Sequence, residues 1–185
     1  MTDEELAAAL YAHAFLEGDF LLRSGRRSSY YVDKYRFSTQ PDVLAVLGER
    51  LAALGRRLAP AALRIAAPEL GAVALAAAAS LASGLPFVIV RKAVKGYGTG
   101  QLLEGAFEPG EPTYLVEDIV TSGGGAVAAV EALRSAGLEC DAAVCVVDRE
   151  EGGADALARA GVALTPLFRV SDLLEAGKTA AKPHG

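Results

Sequence analysis

Thr113-Tyr114-Leu115-Val116-Glu117-Asp118-Ile119-Val120-Thr121-Ser122-Gly123-Gly124-Gly125-Ala126 is the stretch that decides how this chain folds. Its first four residues show no polar alternation, which is the pattern of a strand buried on both faces of a parallel sheet. Two acids end that strand, and a turn of small residues then opens a helix with Val130 and Leu133 at helical spacing. A buried strand followed by a glycine turn and a helix is one unit of an α/β protein, and ligands of such sheets sit beyond the carboxyl ends of the strands.

The same unit recurs on either side. Apolar runs predict strands at Arg64 to Ala67, Phe87 to Val90, Thr113 to Val116, Ala142 to Val147 and Leu164 to Phe168. Helices are expected between them at Ala72 to Ser83, Gly125 to Ala136 and Asp155 to Ala160, and a longer one from Pro41 to about Leu58 presents Val43, Leu47, Leu51 and Leu54 on one face. The expected architecture is a parallel sheet with helices on both faces. Upstream, Thr2 and Glu5 form a capping-box pattern ahead of Leu6, Leu10 and Ala14, so an N-terminal helix is predicted. From Asp19 to Phe37 the pattern turns to short extended runs: Phe20-Leu21-Leu22 and Tyr30-Tyr31-Val32 flank Ser24-Gly25-Arg26-Arg27-Ser28 and predict a hairpin, in a segment with five cations against Asp19 and Asp33. At 185 residues the chain is expected to be one domain, with a hood over 1–40, an α/β core over 41–176 and a frayed tail over 177–185.

Composition narrows the function classes. With 52% hydrophobic and 22% charged residues the chain carries a full core, and a net charge of −5 does not suit a surface that neutralises a long nucleic acid. The longest apolar stretch, Leu70 to Ala82, is too short and too rich in alanine to span a bilayer. Cys140 and Cys145 lack zinc or redox spacing, and only His13 and His184 could join them. Neither a metal cluster nor an export signal is expected, and the location expected is cytoplasmic.

The glycine turn suits a phosphate, because small residues let backbone N–H groups approach an anion, Thr121 and Ser122 add hydroxyl donors, and the helix N-terminus adds its dipole. Gly123-x-Gly125-x-x-Ala128, with Asp148 at the end of the next strand, also matches a dinucleotide fingerprint. Against that rival, Glu117 and Asp118 would put uncompensated negative charge beside a pyrophosphate. A nucleotide P-loop fails because no Lys-Ser or Lys-Thr follows the glycines. Hydroxyls at the acids and a monophosphate at the glycines satisfy both halves, which is the layout of a ribose 5-phosphate.

Val116-Glu117-Asp118-Ile119-Val120-Thr121-Ser122-Gly123-Gly124 resembles the phosphoribosyl pyrophosphate (PRPP) motif of type I phosphoribosyltransferases. Two further segments resemble the orotate phosphoribosyltransferases within them: Val90-Arg91-Lys92-Ala93-Val94-Lys95-Gly96-Tyr97-Gly98-Thr99-Gly100, similar to the mobile catalytic loop, and Phe20 to Tyr31, similar to the N-terminal hairpin. The resemblance implies transfer of phosphoribose from PRPP to orotate with magnesium. It assigns PRPP to Arg23, Arg91, Lys92, Lys95, Tyr97, Glu117, Asp118, Thr121, Ser122, Gly123, Gly124 and Gly125, with Lys95, Asp118, Arg91 and Lys92 in catalysis, and orotate to Tyr31, Thr121 and Arg149. Magnesium is expected to be held through PRPP, without a direct protein ligand, and Glu117 or Asp118 would meet it through water. A homodimer with a shared active-site loop is also implied. Three positions depart from the family pattern: Tyr97 stands where histidine is commoner, Leu70 where some relatives carry lysine, and Val32 where some carry a second aromatic residue. The competing readings are a PRPP-binding regulator of the same fold without catalysis, and a transferase for another base.

Overall fold

The computed structural model describes residues 1–21, 25, 27–92 and 102–180. Arg23, Lys95 and Tyr97 therefore lie outside the described residues, as do Leu22, Ser24, Arg26 and the tail beyond 180. The elements run α1 (Asp3–Ala14), β1 (Phe15–Leu21), β2 (Arg27–Val32), α2 (Lys34–Ser38), α3 (Pro41–Leu58), β3 (Arg64–Pro68), α4 (Gly71–Ser83), β4 (Phe87–Val90), β5 (Leu103–Glu104), β6 (Pro112–Val120), α5 (Gly124–Ser135), β7 (Glu139–Asp148), α6 (Gly153–Arg159), β8 (Ala163–Arg169) and α7 (Val170–Ala180).

Six strands form the main sheet in the order β5-β4-β3-β6-β7-β8, parallel throughout except for β5, which runs antiparallel to β4 at the edge. Alternate residues of each strand feed opposite faces, as the pleat requires. Ile65, Ala67, Tyr114, Val116, Val144 and Val146 pack with Leu47 and Leu51 of α3 and Leu75 and Ala79 of α4. Ala66, Leu115 and Ala143 point the other way, onto Ala129, Val130 and Leu133 of α5 and Leu157 of α6. The expectation of a parallel sheet covered on both faces holds.

The N-terminal part follows its local signals closely. Thr2 Oγ1 accepts from the Glu5 N–H at 3.1 Å while the Glu5 carboxylate accepts from the Thr2 N–H at 2.8 Å, so both halves of the capping box form. Leu6, Leu10 and Ala14 are all buried. The hairpin differs from its predicted bounds: β1 begins at Phe15 because pairing with β2 starts at Phe15 opposite Val32, immediately below the helix. Nor is the chain extended as far as Phe37. Asp33 caps a short helix by accepting from the Tyr35 N–H at 3.1 Å, and Phe37 is buried beneath it.

Two further corrections concern the core. The strand of the decisive stretch does not stop at Val116 but continues to Val120, held by pairing with β7 as far as Val120 opposite Asp148. The tail expected from residue 177 is instead the last turns of α7 up to Ala180, where a Cβ on Gly177 would overlap the ring of Tyr11 in α1. That close approach lets the two terminal helices pack together, and glycine is read wrongly as fraying when it serves as a contact surface.

Candidate functional site

A cavity of about 860 Å³ opens at the carboxyl end of β3, β4 and β6, where ligands of parallel sheets are expected. The extension of β6 places Glu117 and Asp118 inside the strand, on the cavity wall, with the turn Thr121–Gly125 continuing that wall. Arg91 and Lys92 line it from the end of β4, and Pro68, Glu69 and Gly71 from the turn between β3 and α4.

Asp118 is buried, and both of its oxygens have partners. Oδ1 accepts from the Ile119 N–H at 2.6 Å and Oδ2 faces the Lys34 ammonium at 2.8 Å. Burial pulls Lys34 down, but its hydrogen bond to Asp118 and the attractions of Asp118, Tyr35 and Glu117 outweigh it, so Lys34 titrates above its ordinary value. Glu117 is pushed the opposite way from a normal carboxylate. Removal from water and, second, the charge of Asp118 lift it to about 8 against the partial relief of Lys34. The acid pair thus holds one paired carboxylate beside a carboxyl that is mostly protonated at neutral pH. Gly71 makes room for the arrangement: a Cβ there would overlap Asp118 Oδ2 outright and stand 2.9 Å from Lys34 Cε.

The phosphate-type turn is built as a backbone contact. Gly123 has φ of +80° and leads into α5, whose second-turn Val127 N–H donates to the Gly123 carbonyl at 2.9 Å. A Cβ on Gly123 would come within 2.9 Å of the Gly153 carbonyl oxygen, and one on Gly153 within 2.6 Å of the Thr121 carbonyl oxygen. The turn is locked face to face on the start of α6. Gly124 and Gly125, by contrast, have no described residue within 4 Å of their Cβ positions, so the outer side of the turn is open among the described residues.

At the opposite rim, Val90 and Leu103 pair, and the Arg91 N–H donates to the Leu102 carbonyl at 2.7 Å. That clasp sets residues 91 and 102 side by side. Arg91 Nη1 lies 3.9 Å from Glu69 and 3.7 Å from Glu104, and its buried Nε has no hydrogen-bond partner among the described residues. The Lys92 N–H donates to the Glu69 carboxylate at 2.8 Å while its side chain is exposed beside the cavity.

Of the expected site residues, the structure brings together Arg91, Lys92, Glu117, Asp118, Thr121, Ser122, Gly123 and Gly125 around one cavity, with Gly124 as the first residue of α5. Tyr31 and Arg149 are outside its lining. Tyr31 is exposed against Phe20, whereas Arg149 is buried, pairs with Glu151 at 3.1 Å and lies over the ring of Tyr30, 5.2 Å from its centroid. Tyr30 and Tyr31 are consecutive on β2 and point to opposite faces. Arg149 Nε is buried without a partner among the described residues. Asp148, the ribose acid of the dinucleotide rival, accepts from the Glu150 N–H at 2.9 Å and is absent from the cavity wall, so the rival loses its second element.

Lys34 was not singled out as a site residue from the sequence. Lys34 sits outside every motif, one of five cations in the hood, and only the packing of α2 on α4 brings it to Asp118. Among the described residues no three His, Cys, Asp or Glu side chains are grouped to hold a metal, and no helix is long and apolar enough to cross a membrane. Asp118 is already paired with Lys34 and the Ile119 N–H, so the acid pair would meet a magnesium ion only through that ion's own water.

No family model matches the chain. It is 53% identical over 157 residues to an orotate phosphoribosyltransferase of Methanocella arvoryzae, covering 85% of this chain and 88% of the relative. Among solved structures it superposes on orotate phosphoribosyltransferase from Aeropyrum pernix with TM-score 0.84 and 33% identity over 96% of this chain and 99% of the other. The Mycobacterium tuberculosis enzyme in complex with 5-phospho-alpha-D-ribosyl 1-diphosphate gives TM-score 0.75 and 30% identity over 92% and 98%.

Proposed function

The chain belongs to the orotate phosphoribosyltransferase family, and from that premise we propose how its cavity divides the work of the reaction. The protein is an enzyme that transfers the 5-phosphoribosyl group of PRPP to orotate, giving orotidine 5'-monophosphate and pyrophosphate in pyrimidine biosynthesis. The observation that carries the assignment of roles is the joining of the acid pair, the open glycine turn and the two cations of β4 on one cavity.

Displacement at the anomeric carbon builds positive character on the ribose and negative charge on the departing pyrophosphate. Asp118 and Glu117 accept hydrogen bonds from the ribose hydroxyls. The 5-phosphate lies against the Thr121 and Ser122 hydroxyls and the N–H groups of Gly123, Gly124 and Gly125, supported by the open side of that turn. Arg91 and Lys92 face the pyrophosphate, and the partnerless Nε of Arg91 is a donor available to it. Arg23, Lys95 and Tyr97 are assigned to the same diphosphate, with Lys95 donating to it as it leaves. Bound together with the pyrophosphate, magnesium would supply further charge neutralisation, and Glu117 or Asp118 would hold it through water.

Orotate differs from uracil by a carboxylate, which needs a cation in a dry site. Arg149 takes that role, supported by its burial and its unused Nε, and Thr121 and Tyr31 complete the base site. The protein is a cytoplasmic homodimer in which Lys95 of one protomer serves the neighbour's cavity. Co-refolding Lys95→Ala with Asp118→Ala then restores part of the activity that each variant lacks, and no recovery despite subunit exchange refutes the sharing. The roles are tested by Asp118→Asn, which should raise the Kd for PRPP roughly tenfold or more with the fold intact. Unchanged affinity by calorimetry removes Asp118 from the ribose.

A further inference from the structure

We infer that Lys34 is a positioning residue for the transfer: it holds Asp118 in place for the ribose and offsets its charge, which no cation of the turn Pro68-Glu69-Leu70-Gly71 does. The inference rests on the proposed placement of PRPP on the acid pair. Three observations carry it. Lys34 lines the cavity, with its side chain 35% exposed, while the Asp118 side chain it meets at 2.8 Å is 4% exposed. Its stem crosses the turn between β3 and α4, with Cε 2.9 Å from where a Gly71 Cβ would stand, so the ammonium arrives where that turn meets the acid pair. Leu70, in the same turn, is apolar and 67% exposed, and the turn's one charged residue, Glu69, is acidic.

The placement of Lys34 is fixed from behind. The Asp33 N–H donates to the Ala14 carbonyl at 2.8 Å, Asp33 caps α2, and Val32 and Phe37 on either side are buried. A lysine so mounted reaches Asp118 without ordering a free chain, which lowers the entropic cost that weakens surface pairs. A buried carboxylate without this partner would repel the phosphates of an incoming donor as well as lose its orientation. Removing the ammonium therefore weakens PRPP binding, even though it vacates one side of Asp118.

The test is steady-state kinetics of Lys34→Met, Lys34→Arg, Asp118→Asn and the double variant Lys34→Met/Asp118→Asn, with the parent protein in the same series and circular dichroism of each. For Lys34→Met the KM for PRPP should rise roughly tenfold or more while the KM for orotate stays within about twofold. Lys34→Arg should recover part of the loss. The double variant should be no worse than Asp118→Asn alone, because a residue that acts through Asp118 has nothing left to position. Parent-like or tighter PRPP kinetics in Lys34→Met, or fully additive losses in the double variant, overturn the inference while the parent's turnover upholds the proposed reaction. A parent that does not turn over PRPP and orotate refutes that reaction instead. If Lys34→Met fails to fold, Lys34→Arg and Lys34→Gln are compared in its place, and equal PRPP kinetics in those two overturn the inference.

Discussion

Replacing Glu117 by glutamine should stabilise the protein, and more so as pH rises. Burial beside Asp118 lifts Glu117 from 4.5 to about 8, so the native state holds a proton that the unfolded chain releases. A carboxyl raised in this way contributes its full share of stability below its unfolded value, and that share is lost as pH climbs through the folded one. At ~1.36 kcal/mol per unit, the whole shift corresponds to at most ~5 kcal/mol above pH ~8.5, and to ~1 kcal/mol at pH ~5.5. The side chain faces an open cavity instead of the sealed core, so water returns part of this. The gain of Glu117→Gln over the parent should therefore grow by ~1–3 kcal/mol between pH ~5.5 and ~8.5. Urea unfolding of both proteins at the two pH values, with equal m-values, reads the difference directly. A gain that is flat or shrinks with pH refutes the electrostatic account of the acid pair. The same substitution should lower PRPP affinity, so that stability and activity move in opposite directions at one atom.

Three other substitutions probe the site independently. Gly71→Ala places a methyl on Asp118 Oδ2, so it should cost ~1–3 kcal/mol in urea unfolding and raise the KM for PRPP; parent-like values for both would show the acid pair is not confined by that turn. Gly123→Ala meets both a φ of +80° and the Gly153 carbonyl, so thermal unfolding should occur at least several degrees lower and phosphate should protect the variant less than the parent, whereas an unchanged melting curve excludes the interlock with α6. Arg149→Ala should lose at least tenfold in kcat/KM for orotate with the Kd for PRPP unchanged, and an equal use of orotate moves the base site elsewhere.

How far the sequence reaches differs between fold and site for physical reasons. Runs such as Tyr114-Leu115-Val116 and Ala142 to Val147 are buried on both faces, so their identity as parallel strands is written in each residue. Bounds were harder, because β6 is carried past Glu117 and Asp118 by its ladder with β7, which no local property of two acids foretells. The two-residue β5 exists only through pairing with β4, and the last turn of α7, from Gly177, reads as a polar tail until Gly177 is seen against Tyr11. In the site, the acid pair and glycine turn are contiguous in sequence and were legible as a unit. Lys34 lies 84 positions before Asp118 (118 − 34), and the tyrosine that meets Arg149 is Tyr30, on the face of β2 opposite Tyr31. Both facts depend on how the hood is laid over the sheet, and the hood's own sequence carries no record of it.

The most direct test of the reaction and its site is loss of orotate absorbance when the protein is mixed with orotate, PRPP and magnesium, run alongside Asp118→Asn and a set lacking PRPP. Steady loss that requires PRPP and falls at least tenfold in kcat/KM for PRPP in Asp118→Asn is the result expected of this cavity. No loss over a buffer blank, with PRPP still bound by the folded protein, would contradict it and leave a binding protein of the same fold.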